Sequence, residues 1–177
     1  MIVVNEDFAL RIPANLKPEV AAPMLRAGAT TYSPLKHWGV KASDKVGMIG
    51  FGGLGDMAVK IAKAMGTQVT VLNTTREKLE EATRLGIRGV LESDREGDEG
   101  IEVDFRLHAF HDPREARHQS LDRIAKARQY PVIDCALEPM AGVDNSAVAF
   151  HRKRVAGSLI GNLADTYEVL DFCAQHC

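Results

Sequence analysis

Gly50-Phe51-Gly52-Gly53-Leu54-Gly55 carries glycine at the spacing G-x-G-x-x-G. Three glycines so placed have separate tasks at a pyrophosphate. Gly50 permits a tight turn, Gly52 lets the backbone approach the phosphates, and Gly55 lets the following helix pack closely on the preceding strand. The helix that starts there offers unpaired N–H groups and a partial positive charge to an anion, so Gly53 and Leu54 complete the expected pyrophosphate-binding set. A lone pattern of this kind is weak. Between an apolar strand and an amphipathic helix it gains the context that a dinucleotide site requires.

The second set of chemistry-bearing residues is Asn73-Thr74-Thr75-Arg76-Glu77-Lys78. A site for NAD places an acid at the end of the second strand to bond the ribose hydroxyls, whereas a basic residue there accommodates a 2′-phosphate. Asn73, Thr74 and Thr75 supply polar groups, and Arg76 and Lys78 supply cations. The expected cofactor is therefore NADP.

Other constellations carry less. His108, His111 and His118 crowd with Asp112 and Glu115, and on a helix His111, Glu115 and His118 would share a face. Pro113 interrupts that helix, so solvated polar surface is the expectation rather than a metal site. No G-x-S-x-G elbow supports a hydrolase. Cys135, Cys173 and Cys177 have neither disulfide nor zinc-knuckle spacing, and Cys173 falls on an apolar helix face. Tyr32, His37 and Trp38 are read as packing residues.

The elements that must hold these groups alternate between strand and helix. Pro18 to Ala27 is helical, with Pro18 in the first turn, and a helical stretch broken by Gly28, Pro34 and Gly39 follows. Strands are expected at Lys45–Ile49, Gln68–Leu72, Gly89–Leu91, Val103–Leu107, Tyr130–Ile133 and Val155–Ile160. Leu54, Ala58, Ile61 and Met65 recur at helical spacing opposite Asp56, Lys60 and Lys63, and Gly66 ends that helix. Thr74 and Glu77 form a capping box for a helix to Leu85, which ends at Gly86. Pro113 to Arg128 reads as a charged helix, and Asp165 caps a last helix burying Val169, Leu170 and Cys173. The pattern predicts an α/β fold: a doubly wound parallel sheet of Rossmann type in strand order 3-2-1-4-5-6, as one domain.

At 177 residues the chain has room for one sizeable core. Residues 1–17 read as a lead-in segment and 18–177 as the dinucleotide-binding domain. With 45% hydrophobic residues and a formal net charge of -2, neither nucleic acid nor an anionic membrane is an expected partner. The start, Met1-Ile2-Val3-Val4-Asn5-Glu6-Asp7, puts acid where a secretory signal has a basic start, so the cytoplasm is the expected location.

"AAPMLRAGATTYSPLKHWGV", "KVGMIGFGGLGDMAVKIAKAMG", "VAGSLIGN" and "YEVLDFCAQH" occur in that order. Together they resemble the zinc-dependent medium-chain alcohol dehydrogenases, in the cinnamyl alcohol dehydrogenase branch; only about Glu92 to Met140 is poorly matched. The resemblance implies NADP dependence, with Thr74, Thr75 and Lys78 at the family's cofactor-selecting positions. It also implies that the domain supplying the other zinc ligands is absent. The family's third ligand, a Cys in L-C-A-G, is replaced within Leu25-Arg26-Ala27-Gly28, and a permanently cationic Arg26 cannot ligate zinc. Neither a catalytic residue nor a metal ligand is therefore assigned. Asp56 replaces a frequent His, Asp134 a usual Gly, and Asn162 a Gly after "SLIG"; the acids stand near the cofactor position.

Three readings follow. The chain is an NADP-binding domain that is incomplete as a catalyst; or an alcohol/aldehyde oxidoreductase completed by another chain; or an interaction module that has lost its cofactor. The first is preferred. Val155 to Ile160 would form an apolar sheet edge, which implies a homodimer through that strand; the resemblance implies the same. The substrate is not legible.

Overall fold

Val46, Met48 and Ile49 lie buried along β1 (Lys45–Ile49), as a strand covered on both faces requires. The computed structural model describes residues 2–73, 76–91, 106–108, 132–134, 145–150 and 155–176. β2 (Gln68–Asn73) and β4 (Arg106–His108) flank β1, both parallel to it. β3 (Arg88–Leu91) lies outside β2, giving the order β3-β2-β1-β4. β5 (Val132–Asp134) and β6 (Val155–Gly157) form a second parallel pair, and β5 touches β4. The fold is the expected doubly wound α/β one, in a single domain, with the described ladders split between β4 and β5.

The helical layer begins with α1 (Pro18–Pro23), passes through a π-helical turn (Met24–Gly28) and continues as α2 (Ala29–His37). The expected break at Gly28 is thus a widened turn within one helical run. α3 (Gly53–Ala64) follows β1, and α4 (Arg76–Arg84) follows β2. Gly66 and Gly86 end these two helices with φ of 82° and 70°. α5 (Asn145–Phe150) precedes β6, and α6 (Leu163–His176) is the last element. The core joins Val46, Met48 and Val71 of the sheet to Ala58 and Ile61 of α3, and reaches Leu35, Val169 and Leu170.

α2 and α6 are tied by polar and aromatic contacts. Ser33 donates to the Asp165 carboxylate at 2.8 Å, Lys36 pairs with Glu168, and Tyr32 meets Phe172 at a ring separation of 5.6 Å. Burial, reinforced by the Glu168 carboxylate, pushes the Tyr32 phenol above its ordinary range, so it remains a neutral member of this seam. The leading segment packs on α6 as well: Asn15 Nδ2 donates to the Ala174 carbonyl at 2.8 Å, and Leu16 is buried.

Several expectations are corrected. β6 is three residues long and ends at Gly157, so Ser158, Leu159 and Ile160 are not strand. The apolar run reads as strand in sequence because it has no charge to end it. Its last two residues are instead exposed beside the helical layer. Asp165 is not the cap of α6. Asn162 is the cap, accepting from the Asp165 N–H at 2.8 Å, while Asp165 accepts from the Asn162 N–H at 3.1 Å. The two make a reciprocal capping box one turn earlier. Leu54, expected on the buried stripe of α3, is at its exposed start. Thr74 of the other capping box, Val103, Tyr130 and the helix expected at Pro113 to Arg128 lie outside the described residues.

A Cβ placed on Gly55 would stand 2.3 Å from the Gly50 carbonyl oxygen, a backbone atom unable to yield. Gly55→Ala is expected to cost about 2 kcal/mol or more, as overpacking against a rigid neighbour does. A Cβ on Gly53 meets nothing within 4 Å. Gly53→Ala should therefore hold stability or raise it by up to about 1 kcal/mol through lower chain entropy. Urea midpoints of the two variants check the contrast.

Candidate functional site

The chain leaves β1 at the point where the strand order reverses, since β2 lies on one side of β1 and β4 on the other. In open parallel sheets a crevice for ligands forms there, beyond the carboxyl ends of the strands. Gly50 makes the turn with φ of 85°, and its N–H donates to the Leu72 carbonyl at 2.9 Å, tying the turn to the end of β2. Phe51 is buried in the core. Gly52 caps α3 in an extended conformation with no side-chain hydrogen bond. The Asp56 N–H closes the first helical bond onto the Gly52 carbonyl at 2.8 Å, so the amides of Gly53, Leu54 and Gly55 precede any intrahelical acceptor. Open space above Gly53 and bare amides make a cradle that fits a phosphate.

Asp56 stands in the first turn of α3, where sequence alone leaves a carboxylate to repel a pyrophosphate. The structure pairs it with Lys60 at 2.7 Å, one turn along the same face. The pair is partly exposed and contributes little stability. It does place a compensating cation beside the acid.

The second expected group stands one strand away. β2 ends at Asn73 and α4 begins at Arg76, with Thr74 and Thr75 outside the described residues. Ile49 pairs with Leu72, so the glycine turn and the Asn73 end open on the same edge of the sheet. Arg76 is exposed and Lys78 half-buried. His108 ends β4, while His111, Asp112, Glu115 and His118 lie outside the described residues. Asp134 ends β5.

A cavity of about 1000 Å³ adjoins the glycine turn, a feature that sequence reading missed. Gly53, Leu54, Asp56 and Lys60 of α3 form one wall, and Met24, Arg26 and Thr30 of the helical run form the opposite one. Leu159 and Ile160 complete it, as does Cys173, whose thiol touches the Met24 sulfur at 3.5 Å. The signal was present in the exposed side of the first helix, but only tertiary packing sets that side against α3.

Zinc asks for about four Cys, His or carboxylate ligands in a tetrahedron. Among the described residues no three His, Cys, Asp or Glu side chains gather closely enough to hold a metal ion. The cavity holds Arg26 where a ligand would need to be a deprotonated donor. The described residues do not fit a catalytic zinc. No helix among them is long and apolar enough to cross a membrane.

The glycine turn at the switch point of a parallel sheet defines the class: an α/β domain of the Rossmann, dinucleotide-binding type. Comparison with known proteins gives the family. Residues 53–175 match the family described as zinc-binding dehydrogenase, and the chain belongs to it. The chain is 40% identical over 182 residues to NADP-dependent alcohol dehydrogenase C 1 of Mycolicibacterium smegmatis, covering 99% of this chain and 50% of that one. It superposes on a cinnamyl alcohol dehydrogenase from Sorghum bicolor with a TM-score of 0.83 and 34% identity, over 98% of this chain and 50% of that one. CAD from Helicobacter pylori, complexed with NADP(H), gives a TM-score of 0.79 and 32% identity, over 99% of this chain and 50% of that one. The chain therefore spans about half the length of the relatives it matches.

Protein purified without chelator is expected to carry zinc far below one ion per chain, because Arg26 occupies the cavity wall. Elemental analysis checks this. Stoichiometric zinc in the dialysed protein would overturn it.

Proposed function

We propose that this chain binds NADP(H) at the glycine turn and serves as the cofactor-binding half of an alcohol dehydrogenase. The observation that carries the reading is the uncapped start of α3, set against β1 through the Gly55 to Gly50 contact. Gly50, Gly52, Gly53, Leu54 and Gly55 would cradle the pyrophosphate through backbone N–H groups. Asn73, Thr74, Thr75, Arg76 and Lys78 would take the 2′-phosphate by hydroxyl and cationic contacts. Residues 18–177 make up the binding unit. The bound cofactor would supply hydride transfer, and the chain's own residues would hold and orient it. Support comes from the M. smegmatis relative, named as NADP-dependent, and from the H. pylori structure, named as an NADP(H) complex.

The polar residues that follow β2 in sequence and the cations Arg76 and Lys78 favour NADP over NAD. Calorimetric titration should give tighter binding of NADP(H) than NAD(H) by about tenfold, the scale of one charge-assisted contact. Arg76→Ala should narrow that preference with little effect on NAD(H). Equal affinities in the parent would refute the assignment.

A homodimer through the Val155 to Ile160 stretch is the second part of the reading. Among the described residues β6 pairs on one side only, with β5, and an unpaired edge invites a second copy in a two-fold arrangement. With β6 ending at Gly157, the backbone ladder is short, and Leu159 and Ile160 sit at the cavity instead. Light scattering at micromolar concentration should give twice the chain mass of 19.3 kDa. A monomer there would remove this part and leave cofactor binding untouched.

A further inference from the structure

We propose that the cavity beside α3 binds the carboxylate of a small apolar acid, with Arg26 and Thr30 as its polar partners. The volume, about 1000 Å³, is that of a small-molecule site. Pro23, Met24, Leu54, Met57, Ile61 and Leu159 give it predominantly apolar walls. Such a lining with a few convergent polar groups is the usual form of a site that orients an apolar ligand by one polar end.

Two groups supply that end. Arg26 lies in the π-helical turn and lines the cavity, and no carboxylate among the described residues pairs with it. Thr30, four residues on, lines the same cavity and is only 8% exposed. Neighbouring Thr31 donates to the Ala27 carbonyl at 2.8 Å, whereas the Thr30 hydroxyl has no hydrogen-bond partner among the described residues. A buried hydroxyl left without a partner is costly, and a ligand oxygen would satisfy it.

Charge selects the ligand. Lys60 and Asp56 also line the cavity, but they neutralise each other at 2.7 Å. Among the described residues Arg26 remains the one uncompensated cation of the lining, and the bare N–H groups at the start of α3 add partial positive charge from the facing wall. A guanidinium takes a carboxylate through two parallel hydrogen bonds. One net positive charge beside an acid suits a monoanion better than a dianionic phosphate, and the apolar walls ask for a hydrocarbon body. The cavity shares Gly53 and Leu54 with the proposed pyrophosphate cradle, so bound NADP(H) would compete with the acid; the test below contains no cofactor, and its outcome is read separately from that of the dinucleotide titration.

Calorimetric titration of the cofactor-free protein with hexanoate, hexanamide and acetate tests it. Hexanoate should bind about tenfold more tightly than its neutral isostere hexanamide, as a charge-assisted bidentate contact predicts. Acetate, which lacks the hydrocarbon body, should bind more weakly than hexanoate. Arg26→Met should bring hexanoate and hexanamide to equal affinity without weakening hexanamide, and Thr30→Val should weaken hexanoate about fivefold. Circular dichroism identifies a variant that fails to fold, and the parent's preference among the three probes then decides alone. Equal binding of hexanoate and hexanamide to the parent, no binding of either, or an undiminished preference in folded Arg26→Met would overturn the proposal.

Discussion

The meeting of β1 and α3 without a side chain between them is the constraint on which the rest of the structure depends. Gly55 approaches the Gly50 carbonyl so closely that the smallest Cβ would collide with it at 2.3 Å. This contact brings the start of α3 directly over the end of β1. The bare amides of its first turn then face the crevice at the switch point of the sheet. Had the helix been held further off by a methyl group, those amides would have been displaced from the strand ends. Phe51 anchors the turn in the core, and the Gly50 bond to Leu72 ties it to the neighbouring strand.

The opposite wall depends on a different kind of packing. The run α1, π turn and α2 is fastened to α6 by the contact of Met24 with Cys173, the ring contact of Tyr32 with Phe172, and the bond from Ser33 to Asp165. Asp165 has two duties, since it also completes the reciprocal cap with Asn162. Asn162, where the resemblance leads one to expect glycine, has a local structural use: its side-chain oxygen accepts the Asp165 N–H, which glycine would leave to water. This seam keeps Met24 and Gly28 inward and turns Arg26 toward the cavity.

Arg26 changes what a domain of the zinc-binding dehydrogenase family can do with that cavity. A thiolate there would be an anionic metal ligand; a guanidinium is a permanent cation with donors only. The electrostatic character is therefore inverted at one position while the fold around it persists. Asp56 is the reverse case, an acid in a place suited to anions, moderated by Lys60 one turn away. Arg26 is exposed and Asp56 half-buried, positions where a change of charge costs the fold little.

The parallel α/β architecture was legible in the sequence because its signals are local. A short apolar strand, three spaced glycines and an amphipathic helix each follow from the allowed backbone and the period of the side chains. The glycine turn was legible for the same reason, and so were the ends of α3 and α4 at Gly66 and Gly86, whose positive φ only glycine accepts readily. The end of β6 was not. Val155 to Ile160 is uniformly uncharged, and whether such a run continues as strand depends on the neighbours it meets. The cap of α6 was misplaced by one turn because Asn162 and Asp165 are both good caps, and only the packing of Ser33 on Asp165 distinguishes their roles. The cavity and the place of Arg26 in its wall belong wholly to tertiary structure. Residues 26 and 56 are distant in the chain, and no periodicity within either helix states that their walls will face each other across an apolar space.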